Sequence, residues 1–438
     1  MSTISRGFRG RRPDADPSRV PPGQYLTSDF PVLSYGPTPH TPLDRWSFSI
    51  DGAVEGGRRW TWDALMALPQ ETFTVDIHCV TKWSKLDTEW TGVSVDTLLD
   101  GIDTKGEYVT AWCDGGYTTN VPLADLTGGR AWIAHAYDGA PLTPEHGGPA
   151  RLLVPHLYFW KSAKWIRGLT INPIDEPGFW EVNGYHDRGD PWREQRYQGE
   201  RVNWRTATVR ETVAETPTAR SLVLEVPGWT GHRAGQHVDV RVTADDGHQA
   251  QRSFSIGSPP EADTLALTVE RIDGGEVSPY LVDDVAPGDR FEVRGPIGEP
   301  FSWAVEEGGP LLLIAGGSGM VPLMAMLRHR AARASTVDTR VLVSVRTRTD
   351  AYYAEELAAL GPREGLEVRW TTTREPAAPG GWSGRVTAGI LAELGPAPDT
   401  APRAFVCGPT GFVERVATLL VDAGHDPERI RTERFGPS

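Results

Sequence analysis

Cysteine is nearly absent from this chain. Three occur in 438 residues, Cys79, Cys113 and Cys407, far apart and without CxxC spacing. That excludes a four-cysteine iron–sulfur or zinc site built within the chain, and it excludes a disulfide framework. A chain without disulfides suits a reducing compartment, so the cytoplasm is the expected location. No apolar run is long enough to span a bilayer, and no membrane is expected as a partner. Basic residues are outnumbered, 44 Lys and Arg against 58 Asp and Glu, for a net charge of −14. That balance argues against nucleic acid or an anionic membrane surface as the main partner. The exception is the start, Met1 to Pro22, which is basic and rich in Pro and Gly. Its arginine pairs suggest a twin-arginine export signal, but no apolar stretch follows them, and residues 1–24 are expected to be a disordered arm.

What is present is an ordinary globular composition, 39% hydrophobic and 23% charged. The length exceeds a single core and implies two or three domains. Tryptophan divides the chain: 12 of 16 fall between Trp46 and Trp204, which places a domain boundary near Val202. The first part carries short strand-like runs at Trp46 to Ile50, Thr72 to Ile77, Tyr108 to Trp112, Trp132 to Tyr137, Arg151 to Pro155 and Leu169 to Asn172. Asp-Gly turns separate several of them. Two short helices are expected at Thr61 to Ala67, with Thr61 as N-cap, and at Ser94 to Leu99. The sum is a mixed α+β domain with mostly antiparallel pairing.

Chemistry-bearing residues cluster in a few places. Cys79 stands where an apolar strand gives way to polar Thr81, Lys82 and Ser84. A thiolate there is a soft ligand that a nearby lysine and histidine would favour, although a lone cysteine also packs well as a small hydrophobe. Downstream, His146-Gly-Gly-Pro149 precedes Arg151, and Lys161 and Lys164 stand among aromatics. Guanidinium and ammonium groups beside a glycine turn make an anion pocket. Tyr185 and Arg188, in Gly-Tyr-His-Asp-Arg-Gly, are the candidates for the substrate side.

The texture changes after Arg205. Alternating strands without long helices predict a small antiparallel barrel, with Arg252-Ser-Phe-Ser255 on one of them. Beyond Gly309, apolar strands alternate with helices, the pattern of a parallel sheet. Gly316-Gly-Ser-Gly319 lies between the strand at Leu311 to Ala315 and the helix from Val321. Such a turn admits a pyrophosphate, although its spacing is not G-x-G-x-x-G. Cys407-Gly-Pro409 ends a later strand at the same sheet edge. Arg346 and Arg348 end another; were an adenosine ribose to rest there, two cations would suit its 2′-phosphate and Asp350 would instead suit a free ribose.

The run DIHCVTKWSKLDTEWTG, with HGGPARLLVPHLYFWKSAKW after it, resembles the molybdopterin domain of the sulfite oxidase family, in its bacterial branch. The resemblance implies that Cys79 is the sulfur ligand to molybdenum. It also implies that Ser34, Tyr35, Cys113, His146, Arg151 and the segment Ser162, Ala163 and Lys164 hold the pterin and its phosphate. Cys113 stands where the reductase branch carries threonine. The ordered set RSFS, GGEVSPYL, GPIGEPF, AGGSGMVP, CGPTG and ERFG resembles the ferredoxin–NADP reductase family. It implies flavin at Arg252, Ser253, Phe254 and Ser255, with phosphate contacts from Gly275, Val277 and Ser278. It implies nicotinamide nucleotide at Gly316, Gly317, Gly319, Cys407, Gly408 and Pro409, with Cys407 beside the nicotinamide.

The expected architecture is therefore an α+β sulfite oxidase-like molybdopterin domain (25–200), an antiparallel β-barrel flavin domain (201–305) and an α/β NAD(P)-binding domain (306–438). The cofactors implied are molybdopterin with Mo, FAD with FMN as the alternative, and NAD(P)H. The expected enzyme passes electrons from NAD(P)H through flavin to molybdenum and removes oxygen from a small substrate such as a sulfoxide, an N-oxide or nitrate. Two other readings stay open: sulfite-type oxidation with electrons leaving through flavin, and diaphorase-like transfer to an external electron carrier.

Overall fold

Two consecutive strands make a long antiparallel hairpin. In the computed structural model, which describes residues 3–10, 16–198, 203–361, 363–377 and 379–435, Glu71–His78 pairs antiparallel with Trp83–Ser94. Trp83–Ser94 is also flanked by Trp132–Tyr137 and, in parallel, by the short strand Tyr25–Leu26. A second sheet runs in the order Arg58–Thr61, Ser47–Gly52, Ile166–Asn172, Tyr108–Cys113, Thr118–Pro122. Along Tyr108–Cys113 every second residue is buried, as a sheet with one covered face requires. Trp46, Phe48, Ile50, Val93, Val109, Ile133 and Leu152 belong to a single buried cluster. Thr61 caps the helix Trp62–Met66 by accepting from the Ala64 amide.

The flavin-type segment forms a six-stranded sheet in the order Gln249–Ser255, His237–Thr243, Arg290–Ile297, Arg205–Thr216, Ala219–Glu225, Leu265–Glu270, antiparallel throughout. Its outer strands meet only at an isolated bridge, Ile256 to Leu267, so the expected barrel is not a closed one. The last segment is a parallel sheet in the order Trp382–Ser383, Leu366–Thr372, Thr339–Val345, Leu311–Gly316, Arg403–Pro409, Ile430–Phe435. Leu311–Gly316 is buried along its full length because helices cover both faces.

The described residues divide into two compact units, and the division is not the tandem order expected. Residues 3–10, 31–37 and 203–435 form one unit; 16–30 and 38–198 form the other. The expected disordered arm is corrected accordingly. Phe8 is buried in the core of the flavin-type sheet, and Arg19 holds Asp76 through two nitrogens at 2.9 and 2.6 Å. Apolar burial and a bidentate ion pair supply what the arm's composition does not advertise. The expected boundary at Val202 lies outside the described residues.

Candidate active site

Cys79 occupies the corner of the long hairpin. Its amide donates to the Trp83 carbonyl at 2.9 Å, and the Lys82 amide donates back to the Cys79 carbonyl at 3.0 Å. Lys82 closes this turn at φ 79°, a left-handed conformation unfavourable for a side-chain-bearing residue and typical of functional corners. The Thr81 hydroxyl donates to the Cys79 sulfur at 3.1 Å. Burial pushes the Cys79 thiol up, while the Thr81 hydrogen bonds, Arg196 and Lys164 pull it the other way. Such a thiol keeps its proton until a cation replaces it.

Arg196 is fully buried beneath this corner. It donates to the carbonyls of Val80 at 2.8 Å and Pro22 at 3.3 Å, and lies over the Tyr158 ring at 4.8 Å. Sequence reasoning passed over Arg196, Thr81 and Gln24, whose amide donates to the Cys79 carbonyl. Only the i+2 spacing of Thr81 was a signal; Arg196 looked like one charge in a polar run.

Arg151 is buried over the Phe159 ring at 4.1 Å, and burial works against its charge. It donates to the carbonyls of His146 at 2.9 Å and Ser162 at 2.6 Å. Negative forms of Cys113, Tyr117 and Cys79 would support that charge, so these groups face one region. Lys164 donates to the Glu145 carbonyl at 2.6 Å, on the same turn as His146. His146 contacts the Phe30 carbonyl at 3.0 Å and stacks on its ring. Ser162 accepts from the Val154 amide and the Ala163 carbonyl from Leu152, which fixes that backbone. Burial pushes the Cys113 thiol well up.

Other candidate residues are held by partners of their own. Lys161 does not join the anion pocket: it is buried against Glu181 and the Asn120 carbonyl, because a buried ammonium must be paired. Arg188 spends its guanidinium on Asp125, through two contacts at 3.2 Å, beside His156 and Arg130. Tyr185 packs among Trp160, Trp180 and Tyr197. Ser34 and Tyr35 belong to the unit that contains residues 203–435. The Ser34 carbonyl accepts from Arg434 at 2.6 Å, and Tyr35 lies under Arg431.

In the other unit, Ser253 donates to Asp239, which Arg294 also holds at 2.9 Å. The Arg252 guanidinium reaches the Gln251 carbonyl, and Phe254 packs against the sheet core. Val277 is fully buried, and the Ser278 hydroxyl accepts from the Ile272 amide. A Cβ on Gly275 would meet the Ile272 carbonyl at 2.9 Å. At the carboxyl edge of the parallel sheet, glycines permit direct backbone packing. A Cβ on Gly319 would stand 2.1 Å from the Cys407 carbonyl; Gly408, at φ 150°, would meet Gly316 at 2.8 Å. Gly317 faces open space, and Pro409 is exposed beside it at the same edge. Cys407 is fully buried, and burial pushes its thiol far up. Arg346 is exposed, Arg348 approaches Glu375 at 3.5 Å, and Asp350 is occupied by the Thr347 amide and hydroxyl.

Several buried polar atoms have no protein partner among the described residues: Trp83 Nε1, Arg151 Nε and Arg196 Nε near Cys79, and Gln251 Oε1 and Ser255 Oγ on the RSFS strand. Buried donors beside a soft thiol fit a pterin–metal group, and unsatisfied atoms on the RSFS strand fit a flavin.

These two sites define a modular oxidoreductase. The family model for the oxidoreductase molybdopterin binding domain matches residues 35–180, that for the oxidoreductase FAD-binding domain 207–301, and that for the oxidoreductase NAD-binding domain 313–418. YuiH, an uncharacterised oxidoreductase of Bacillus subtilis (strain 168), is 44% identical over 194 residues, 43% of this chain and 98% of its own. The glycine betaine monooxygenase reductase subunit of Pseudomonas aeruginosa (strain UCBPP-PA14) is 31% identical over 220 residues; the alignment covers 47% of this chain and 57% of the relative. A putative protein-methionine-sulfoxide reductase subunit of Azospira oryzae, YedZ1, is 31% identical over 179 residues, 39% of this chain and 68% of its own. The chain belongs to the molybdopterin-binding oxidoreductases of the sulfite oxidase type, joined to a ferredoxin reductase-type FAD- and NAD-binding module. It is a molybdenum- and flavin-dependent enzyme. No helix among its described residues is long and apolar enough to cross a membrane.

Proposed function

We propose that the protein is an NAD(P)H-dependent reductase of a small oxidised substrate, a sulfoxide, an N-oxide or an oxyanion such as nitrate. The observation that carries this reading is the buried Cys79 sulfur, set in a strained hairpin corner with Arg196 beneath it. A nicotinamide-dependent reductase module in the same chain favours the reducing direction. When bound, nicotinamide and flavin supply two-electron chemistry divisible into single electrons, and the molybdenum–pterin group supplies oxygen-atom transfer.

The chain's own residues act around those groups. Cys79 would give up its proton to become the thiolate ligand, with the Thr81 hydroxyl oriented on its sulfur. Arg151 and Lys164, both tied to the turn around His146, would hold the phosphate end. Gly317 faces open space and leaves its backbone bare for a pyrophosphate, while Gly316, Gly319 and Gly408 would let the turn pack against the strand end that carries Cys407. Arg346, exposed at a strand end where Asp350 is already engaged, favours a 2′-phosphate and hence NADPH. The name of the Azospira relative makes sulfoxides the first substrates to test.

NADPH and NADH are to be added in turn to the purified holoprotein without a carrier. Bleaching of the flavin followed by a reduced-molybdenum paramagnetic signal, more readily with NADPH, is the expected result. Flavin reduction with molybdenum untouched would remove the direct route. Substrate-dependent reduction of NAD(P)⁺ would reverse the direction.

A further inference from the structure

Residues 3–10 are laid across the flavin-type sheet. Ser5 is tied to the strand His237–Thr243 in both directions. Its amide donates to the Thr243 carbonyl at 2.8 Å, and its hydroxyl accepts from the Thr243 amide at 3.2 Å. Gly7, at φ 78°, turns the chain so that Phe8, 4% exposed, joins the sheet core with Val277 and Tyr280. Tyr280 meets the Phe8 ring edge-on, 5.3 Å between centroids, and donates its hydroxyl to the Arg6 carbonyl at 2.9 Å. The Arg6 guanidinium pairs with Asp289 at 2.8 Å. Phe8 also stacks on His248 at 6.4 Å, and a Cβ on Gly10 would stand 1.8 Å from that imidazole. His248 in turn meets the Glu276 carboxylate at 2.7 Å.

Glu276 sits between Gly275 and Val277, in the segment read as contacting the flavin phosphates. His248 immediately precedes Gln249–Ser255, the strand that carries Arg252 to Ser255. One imidazole therefore ties the two halves of the flavin site, and the N-terminal segment holds that imidazole. Arg271 to Gly275, which lead into the Glu276 segment, are exposed, and Val277 anchors its far end in the core cluster that Phe8 joins. A segment left unordered must be ordered when ligand binds, which weakens binding.

We infer that residues 3–10 are a strap that preorganises the FAD site, with Phe8 and His248 as positioning residues; this rests on reading 252–255 and 275–278 as flavin contacts. The test is a titration of the deflavinated full-length chain with FAD, followed by flavin fluorescence. Phe8→Ala and His248→Ala should each bind about ten-fold more weakly or worse, with molybdenum content per chain unchanged. His248→Gln, which keeps a donor for Glu276, should recover most of the affinity. If Phe8→Ala does not fold, His248→Ala decides. Parent affinity in the folded variants overturns the strap, whatever their melting temperatures. Arg252→Ala separates the two failures: if it alone weakens FAD, the strap is wrong, and if it too binds as the parent does, the flavin-contact reading is wrong.

Discussion

A buried thiol costs little while it keeps its proton, and on the proposed reading a metal bound at Cys79 would displace that proton. Among the described residues, a side-chain hydroxyl is donated to its sulfur by Thr81 at 3.1 Å. Partners that orient a ligand typically matter 10–100-fold for metal affinity or activity. Thr81→Val is therefore expected to lower molybdenum retention about ten-fold without unfolding the hairpin, measured as metal per chain after dialysis. Full retention would assign Thr81 to turn geometry alone. Glu433, on the last strand, poses the opposite problem. Burial raises its carboxyl to about 8, one oxygen lacks a partner, and His237 stands 4.0 Å from the other. A raised folded-state value means that this group's contribution is complete below 4.5 and is lost as pH rises towards about 8. Across that window each pH unit costs at most about 1.4 kcal/mol. Glu433→Gln should flatten the fall in urea-denaturation stability over this range; parallel curves for variant and parent would refute the assignment.

At the level of elements, the nucleotide edge depends on backbone packed against backbone. The turn Gly317–Gly319 lies against the strand end Cys407–Pro409 with no room for a methyl group. Gly319→Ala should push these segments apart, destabilising the chain by about 1–3 kcal/mol and weakening NADPH binding. Equilibrium unfolding and a nucleotide titration read the two effects. A methyl group accepted without either loss would show that the turn can move. The hairpin Glu71–His78 to Trp83–Ser94 follows the same logic, since its turn carries left-handed Lys82 in place of the usual glycine.

At the scale of the whole molecule, three separated stretches make one unit. The Ser34 carbonyl satisfies buried Arg434, and Phe8 fills the core of the flavin-type sheet. A fragment containing only residues 203–438 would leave Arg434 without that acceptor and empty the Phe8 seat. Each such loss is worth on the order of 1–4 kcal/mol, so the fragment should melt several degrees below the same module in the full chain. Equal melting temperatures would show that the module is complete without these stretches.

Much of this was legible in order. Strand-like runs bounded by turn residues located Trp132–Tyr137, and an apolar run bounded by glycine located Leu311–Gly316, because such segments are written locally. The presence of a molybdopterin-type, a flavin-type and a nucleotide-type segment was likewise readable from motifs. Partners distant in the chain were not. Nothing near Lys161 announces that Glu181 will claim it, nothing near Arg188 that Asp125 will, and nothing near Cys79 that Arg196 will lie beneath it. The basic composition of the first residues pointed to disorder, yet Phe8 found a seat on a sheet formed more than 190 residues later. Residue type and spacing determine which groups could do chemistry. Only tertiary packing decides which charges are consumed by buried partners and which remain for a ligand, because a desolvated charge must find its counterpart wherever the fold brings one.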